Sequence, residues 1–263
     1  MNEFSKTNFI KLSNEVLQFQ LKTLYPLSIK NNAERINLVF LNHDRNFSTF
    51  LTIKYLVEHE RIVDIYTLSR SMFESIISMG LLSKNIISDD LERYQNYQFT
   101  EIYKTYIHLR KLGLEIASGL PQKDVGGVKR KKDEYINKFG RNLSTWTGKS
   151  LEENVKLVDR NFPPTCNENR FYEYLYCQVY RKGSQSAHAS YAGLSKGVEI
   201  EKMKLPGAFI AHRFKSNEPH LIFSCFHSII VFLSSVRFLG SLTKNKQTES
   251  YFDKITKYII SEC

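Results

Sequence analysis

Residues 221–243 read LIFSCFHSIIVFLSSVRFLGSLT, and no other stretch restricts the fold as much. A helix that is apolar on every side has no face to offer water, so it either crosses a bilayer or forms the centre of a packed bundle. His227, Arg237 and five serines lie within the stretch. An unpaired arginine in hydrocarbon costs several kcal/mol, and the mean hydropathy of the chain is −0.35. The expectation is therefore a buried core helix at about 219–242, with Pro219 in its first turn, and no stable membrane insertion.

A central helix needs helical partners, and the apolar period elsewhere supplies them. Phe9, Leu12, Val16, Leu17 and Phe19 share a face over 8–24, a run that Pro26 ends. Residues 33–58 repeat the pattern, with a break expected near Asn42–Asp44. The strongly apolar 61–84 is predicted to be central. Asp89 and Asp90 suit the positive end of a helix running to about Ala117. Residues 119–127 (GLPQKDVGG) read as a loop, 128–140 as an exposed basic helix, 142–148 as a turn and 150–159 as a short helix. Pro163-Pro164 breaks the chain before a helix over 168–191. The stretch 193–217 is irregular, a long loop or a short hairpin, and a last helix covers 248–261. The prediction is an all-α, multi-helix bundle forming a single domain over 1–263, with helices 8–58 as an accessory layer and 123–149 as an insertion.

With 42% hydrophobic and 13% aromatic residues, the chain has ample material for a packed core, which excludes a disordered, collagen-like or coiled-coil class. Four scattered cysteines without a CxxC pair exclude a disulfide scaffold and a zinc knuckle. The opening MNEFSKTNFI lacks the basic flank and apolar run of a secretory signal, so a reducing cytoplasm is expected.

Lys and Arg number 37 against 27 Asp and Glu, a formal charge of +10, which favours phosphate-bearing or other acidic partners. Half of that excess falls between Lys123 and Lys149. Lys129, Arg130, Lys131, Lys132, Lys138 and Arg141 are candidates to hold an RNA backbone, or else form a solvated basic surface.

Several motifs fail on inspection. Gly148-Lys149-Ser150 resembles the end of a phosphate-binding loop, but the leading glycine would fall on Leu143 and no strand precedes it. There is no G-x-S-x-G, G-x-G-x-x-G or H-E-x-x-H. His220 and His227 are seven apart with no carboxylate at ligand spacing, so no metal and no cofactor are expected.

One constellation survives. Arg181, Ser184, His188 and Tyr191, spaced three, four and three, fall on one helical face. Gly183 and its small neighbours allow close approach by a ligand or another helix. Arginine offers a permanently charged planar fork for phosphate, and histidine exchanges a proton near neutral pH. Together they are a minimal kit for metal-free RNA cleavage by the neighbouring 2′-hydroxyl. One histidine cannot readily serve both sides of an in-line displacement, and a symmetric homodimer through the 168–191 region would supply a second. Equally, the pair can be a helix end whose Arg and His satisfy carbonyls and carboxylates. In the apolar helix 61–84, Arg70 and Glu74 are four apart, and form either an intrahelical ion pair or, through Glu74, a support for Arg181 or His188.

Arg70-Ser71-x-x-Glu74, Trp146-x-Gly148 and Tyr180-Arg181-x-x-Ser184-x-x-x-His188-Ala189-Ser190 together resemble a bacterial family, domain of unknown function 5677, over roughly 35–240. More loosely, Arg181, six residues and His188 on a helix of an all-α domain resemble the HEPN superfamily, with its Arg-x(4–6)-His motif. Lys182 stands where many members carry Asn, and the six-residue spacer is the longest allowed. That second resemblance implies a HEPN-like core, a homodimer, and metal-independent cleavage of RNA by a toxin or anti-phage effector with an antitoxin or defence-system partner. Carried over by position, Arg181 and His188 would be the catalytic pair, with Ser184, Tyr191, Tyr180, Arg70 and Glu74 in support. Some members are not nucleases, so a non-catalytic nucleotide- or protein-binding module is the alternative.

Overall fold

The computed structural model describes residues 5–24, 34–59, 64–140, 145–163, 170–187, 198–205, 209–216 and 218–261. In chain order its elements are α1 (Lys6–Thr23), α2 (Glu34–Glu58), α3 (Ile65–Ser83), α4 (Asp90–Lys111), 3-10 turns at Glu115–Ser118 and Gln122–Asp124, α5 (Val125–Phe139), α6 (Leu151–Asn161) and α7 (Phe171–Leu175). A π-helical turn (Tyr176–Arg181), α8 (Lys182–Ala187), strands β1 (Val198–Leu205) and β2 (Phe209–Ser216), α9 (Glu218–Leu242) and α10 (Lys246–Ser261) complete it. The chain is an all-α multi-helix bundle, and one antiparallel hairpin is present among the described residues.

Two local expectations are revised, and the choice left open at 193–217 falls to the hairpin. Helix α2 runs unbroken past Asn42–Asp44, because His43 and Asn46 turn inward instead of interrupting it. Gly126 and Gly127 lie inside α5, where the GLPQKDVGG composition suggested a loop to its end. The irregular stretch 193–217 contains a two-stranded hairpin, in register from Val198 opposite Ser216 to Leu205 opposite Phe209.

Two compact units divide the chain, one of residues 1–84 with 155–263, the other of residues 85–154. In the first, α9 is the axis, and every residue from Cys225 to Gly240 is buried. Phe226 meets Phe9 of α1 edge-on at 5.9 Å, Phe232 stacks on Phe50 of α2 at 4.6 Å, and Phe238 meets Phe162 at 4.6 Å. Within this helix His227, Arg237 and three of the five serines find partners inside the protein. Ser228, Ser234 and Ser235 donate to the carbonyls of Cys225, Ile230 and Phe232, the usual refuge of a hydroxyl inside a helix. Arg237, 2% exposed, donates to Glu249 of α10 at 2.9 Å and to the Pro163 carbonyl at 3.1 Å, with its guanidinium over the Phe252 ring. Residues Ile222–Leu242 are long and apolar enough to cross a membrane, yet 89% of the most apolar window is buried within the protein. Gly240 lets α10 close on α9, since a Cβ there would lie 1.8 Å from Thr248 Oγ1.

In the second unit α4 and α5 pair, and Tyr135 fixes the following turn by donating to the Trp146 carbonyl at 3.2 Å. The Ser150/Glu153 capping box opens α6: Ser150 N–H donates to the Glu153 carboxylate at 2.8 Å, and Glu153 N–H to Ser150 Oγ at 3.2 Å. This unit holds 12 basic and 10 acidic residues. Most of the chain's positive surplus therefore lies outside the unit that contains the basic segment.

Candidate functional site

The helix carrying Arg181 is started by a residue far from it in sequence. Asp159 of α6 accepts the Tyr172 N–H at 2.7 Å and the Glu173 N–H at 2.9 Å, satisfying two donors at the opening of α7. Burial nevertheless pushes the Asp159 carboxyl up to about 6, the two backbone bonds offsetting part of the rise. Phe171, Tyr172 and Leu175 are fully buried, so α7 is anchored in the core.

The π turn then changes the faces. In it Tyr176 and Tyr180, four apart, stack with centroids 5.2 Å apart and planes 14° apart. Each end of this pair is covered by an arginine: Arg181 lies 5.4 Å from the Tyr176 ring, and Arg70 of α3 lies 5.0 Å from the Tyr180 ring. A cation within about 6 Å of a ring centroid is attracted by the ring's quadrupole.

Helix α3 runs antiparallel to this segment, as the contacts order themselves. Tyr66 and Arg70 face Gly183, Arg70 and Phe73 face Tyr180, and Phe73 also faces Tyr176. A Cβ on Gly183 would stand 2.5 Å from the Tyr66 carbonyl oxygen and 2.7 Å from Arg70 Cβ. The close approach that small residues permit is thus made by α3 of the same chain. Arg70 Nε donates to Glu74 Oε1 at 3.2 Å, the side chains being 22% and 47% exposed. The intrahelical ion pair is formed, and among the described residues the one bond to the Glu74 carboxylate comes from Arg70.

The structure brings together Arg70, Glu74, Tyr180 and Arg181, with Arg181 exposed and Ser184 half-buried one turn beyond it. His188, Tyr191 and Arg141 lie outside the described residues. In the basic segment Lys129, Arg130, Lys131 and Lys138 are exposed and Lys132 is half-buried, and three of these lysines have close partners. Lys131 lies 4.5 Å from the Phe99 ring, Lys132 lies 5.0 Å from that of Tyr103, and Lys138 pairs with Glu92. Tyr176 is the member of the stack not singled out from the sequence. Its signal in the sequence is the spacing of four from Tyr180.

Two buried histidines are disposed structurally. His227 Nδ1 faces the Phe223 carbonyl at 2.9 Å and so carries the proton, which leaves Nε2 to accept from the Tyr174 hydroxyl at 2.9 Å. His43 Nδ1 is 2.9 Å from Ser235 Oγ, and its Nε2 is 3.2 Å from the Gln20 amide. Because Ser235 gives its own proton to the Phe232 carbonyl, it accepts from His43, and the pair is no nucleophile–base arrangement. Burial draws both imidazoles down to about 4, and the Lys182 charge adds to the effect at His227. No group of three metal-ligating side chains occurs among the described residues.

Residues 36–203 match the model of DUF5677, a family of unknown function. No curated protein and no solved structure matches the chain.

Proposed function

The chain belongs to DUF5677, whose description states no activity, and from the chain's own residues we propose that it is a metal-independent endoribonuclease of the HEPN type. It acts in the cytoplasm as a homodimeric toxin or anti-phage effector with an antitoxin or defence-system partner. The observation that carries this reading is the exposed Arg181 guanidinium, laid on the Tyr176–Tyr180 stack and backed by Arg70. A guanidinium held over an aromatic ring and exposed at the surface suits a phosphorane, whose charge develops on oxygens in the transition state.

In the reaction the 2′-hydroxyl attacks the adjacent phosphorus and gives its proton to His188. The P–O5′ bond breaks, and the departing oxygen takes a proton from the partner's His188. A 2′,3′-cyclic phosphate and a 5′-hydroxyl result. Arg181 stabilises the phosphorane, while Ser184 and Tyr191 position the phosphate. Arg70, Glu74 and Tyr180 support it, and Lys129, Arg130, Lys131, Lys132, Lys138 and Arg141 hold flanking backbone. Purified protein is expected to cleave RNA with chelator present, and His188→Ala to lower the rate by about 10²–10⁴. No cleavage, or full cleavage by His188→Ala, overturns the proposal.

The engaged state of Lys131, Lys132 and Lys138 favours a second reading, a non-catalytic nucleotide- or protein-binding module. Under it His188→Gln preserves biological activity.

A further inference from the structure

The turns that join α4 to α5 leave three aliphatic side chains largely in water. Leu112, Leu114 and Ile116 are 59%, 54% and 93% exposed, and the backbone that carries them is hydrogen-bonded. Gly113 N–H donates to the Arg110 carbonyl at 3.0 Å and Leu114 N–H to the Leu109 carbonyl at 2.9 Å, closing α4 with Gly113 in the left-handed region at φ 70°. Ala117 N–H donates to the Leu114 carbonyl at 2.9 Å, and Gly119 N–H to that of Ile116 at 3.2 Å. The aliphatic group also stands at one end of its unit. Helices α4 and α5 run antiparallel, Glu92 facing Lys138 and Phe99 facing Lys131. The chain leaves the unit past Trp146, which meets Tyr94 edge-on at 5.3 Å near the start of α4. Leu112 is eighteen residues beyond Tyr94, about 27 Å along the helix.

Positive charge gathers at the same end. Residues 108–130 hold five basic and two acidic residues, whereas the rest of the unit holds seven and eight. Arg110, Lys111 and Lys123, which flank the aliphatic turn in sequence, are all exposed. An aliphatic tip with a basic collar narrows the choice of partner. An RNA backbone attracts the collar but has nothing to cover aliphatic carbon, and a second copy would press the same positive surplus against itself. At an anionic lipid surface the aliphatic side chains enter the acyl boundary while the cations stay among the headgroups. The cytoplasmic leaflet carries such lipids. We propose that the 112–116 tip is a peripheral anchor that docks the protein on an anionic lipid surface. The anchor is shallow and does not involve α9, whose apolar side chains are buried in the core.

The test sediments the full chain with vesicles of phosphatidylcholine alone, or of phosphatidylcholine and phosphatidylserine in equal parts, at fixed salt. The native chain is expected to bind the anionic vesicles about a hundredfold more tightly, as three net charges at about fivefold each give. Ile116→Ser is expected to weaken that binding about tenfold or more, the loss that follows from withdrawing one aliphatic side chain from the lipid. The joint replacement of Arg110, Lys111 and Lys123 by Gln is expected to remove most of the preference for anionic vesicles. All four positions are exposed, so folding is not at stake, and circular dichroism of each variant checks it. No binding to anionic vesicles, or equal binding to both compositions, overturns the proposal. So does anionic binding that survives joint replacement of Leu112, Leu114 and Ile116 by Ser, which would reduce it to general attraction of a basic protein. A self-associated form in sedimentation without vesicles, lost on Ile116→Ser, would make a second copy the occupant and overturn it as well.

Discussion

Acidification provides the most direct check on how the core is built. His43 and His227 are 1% and 3% exposed, and both are held near 4 in the folded chain against an ordinary value of 6.5. The unfolded chain takes up a proton at each near pH 6.5, whereas the folded chain refuses it until about pH 4. Their contribution is therefore complete above pH 6.5 and is lost as the pH falls towards 4. Between pH 7 and pH 5 each costs about 2 kcal/mol of stability, about 4 kcal/mol for the pair. Asp159 acts in the opposite sense. Its folded carboxyl titrates at about 6 against an ordinary 3.8, so it favours the folded state as the pH falls through 6 and returns about 1 kcal/mol over the same interval. The net loss is about 2–3 kcal/mol, which lowers Tm by roughly 5–9 °C for a chain of this size. Thermal unfolding followed by far-ultraviolet circular dichroism at constant ionic strength reads it directly. The variant His43→Gln keeps a polar group towards Ser235 but cannot titrate, so with one histidine still opposed by Asp159 its net loss is about 1 kcal/mol and its Tm should fall roughly a third to a half as far as the native protein's. If His43→Gln shows the native pH dependence, or if the native protein gains stability towards pH 5, the assigned proton positions and burial of these imidazoles are wrong.

Two further substitutions probe the packing that positions the site. Glu249→Ala leaves the Arg237 guanidinium buried with only carbonyl and ring partners. It should cost about 2 kcal/mol, less than a fully enclosed pair because Glu249 is half exposed. Arg237→Met, which removes the buried charge altogether, should cost less in the same chemical denaturation series. Gly183→Ala sets a methyl 2.5 Å from the Tyr66 carbonyl. It should destabilise by about 1–3 kcal/mol as α8 is pushed off α3, and under the proposed function weaken RNA binding, whereas Ser184→Ala should leave stability within about 0.5 kcal/mol.

The apolar helix was legible because its composition alone required an all-round environment, and Ser228, Ser234 and Ser235 needed only their own helix carbonyls. The partner of Arg237 was not. Glu249 lies in the next helix, and which acidic residue faces it depends on where the chain turns after Leu242. In the candidate site, the helical spacing of Arg181 and Ser184 and the Arg70–Glu74 pair follow from local periodicity, and both are present. The Tyr176–Tyr180 stack and its two arginines follow from a π turn and from the antiparallel approach of α3. Neither leaves a mark in a 3.6-residue pattern, because the apolar period before Tyr176 and the polar period after Arg181 each look regular alone. Gly126 and Gly127 misled for a related reason. Composition marks where a helix is costly, and the neighbours of α5 decide whether that cost is met.

The π turn between Tyr176 and Arg181 holds one residue more than an α-helical turn would. That surplus residue works as an angular setting. A turn closed one residue wider advances about 80° per residue instead of about 100°, so relaxing 176–181 to α-helix with all its residues kept would rotate everything after it by roughly 100° relative to α7. Arg181 and Ser184 would swing off their present face, while Asp159 still held the front of the helix in place. Chains that keep every named side chain but wind this turn as α-helix would carry the same letters with the surface aimed elsewhere, so the winding of the turn is as much a part of the site as the residues in it.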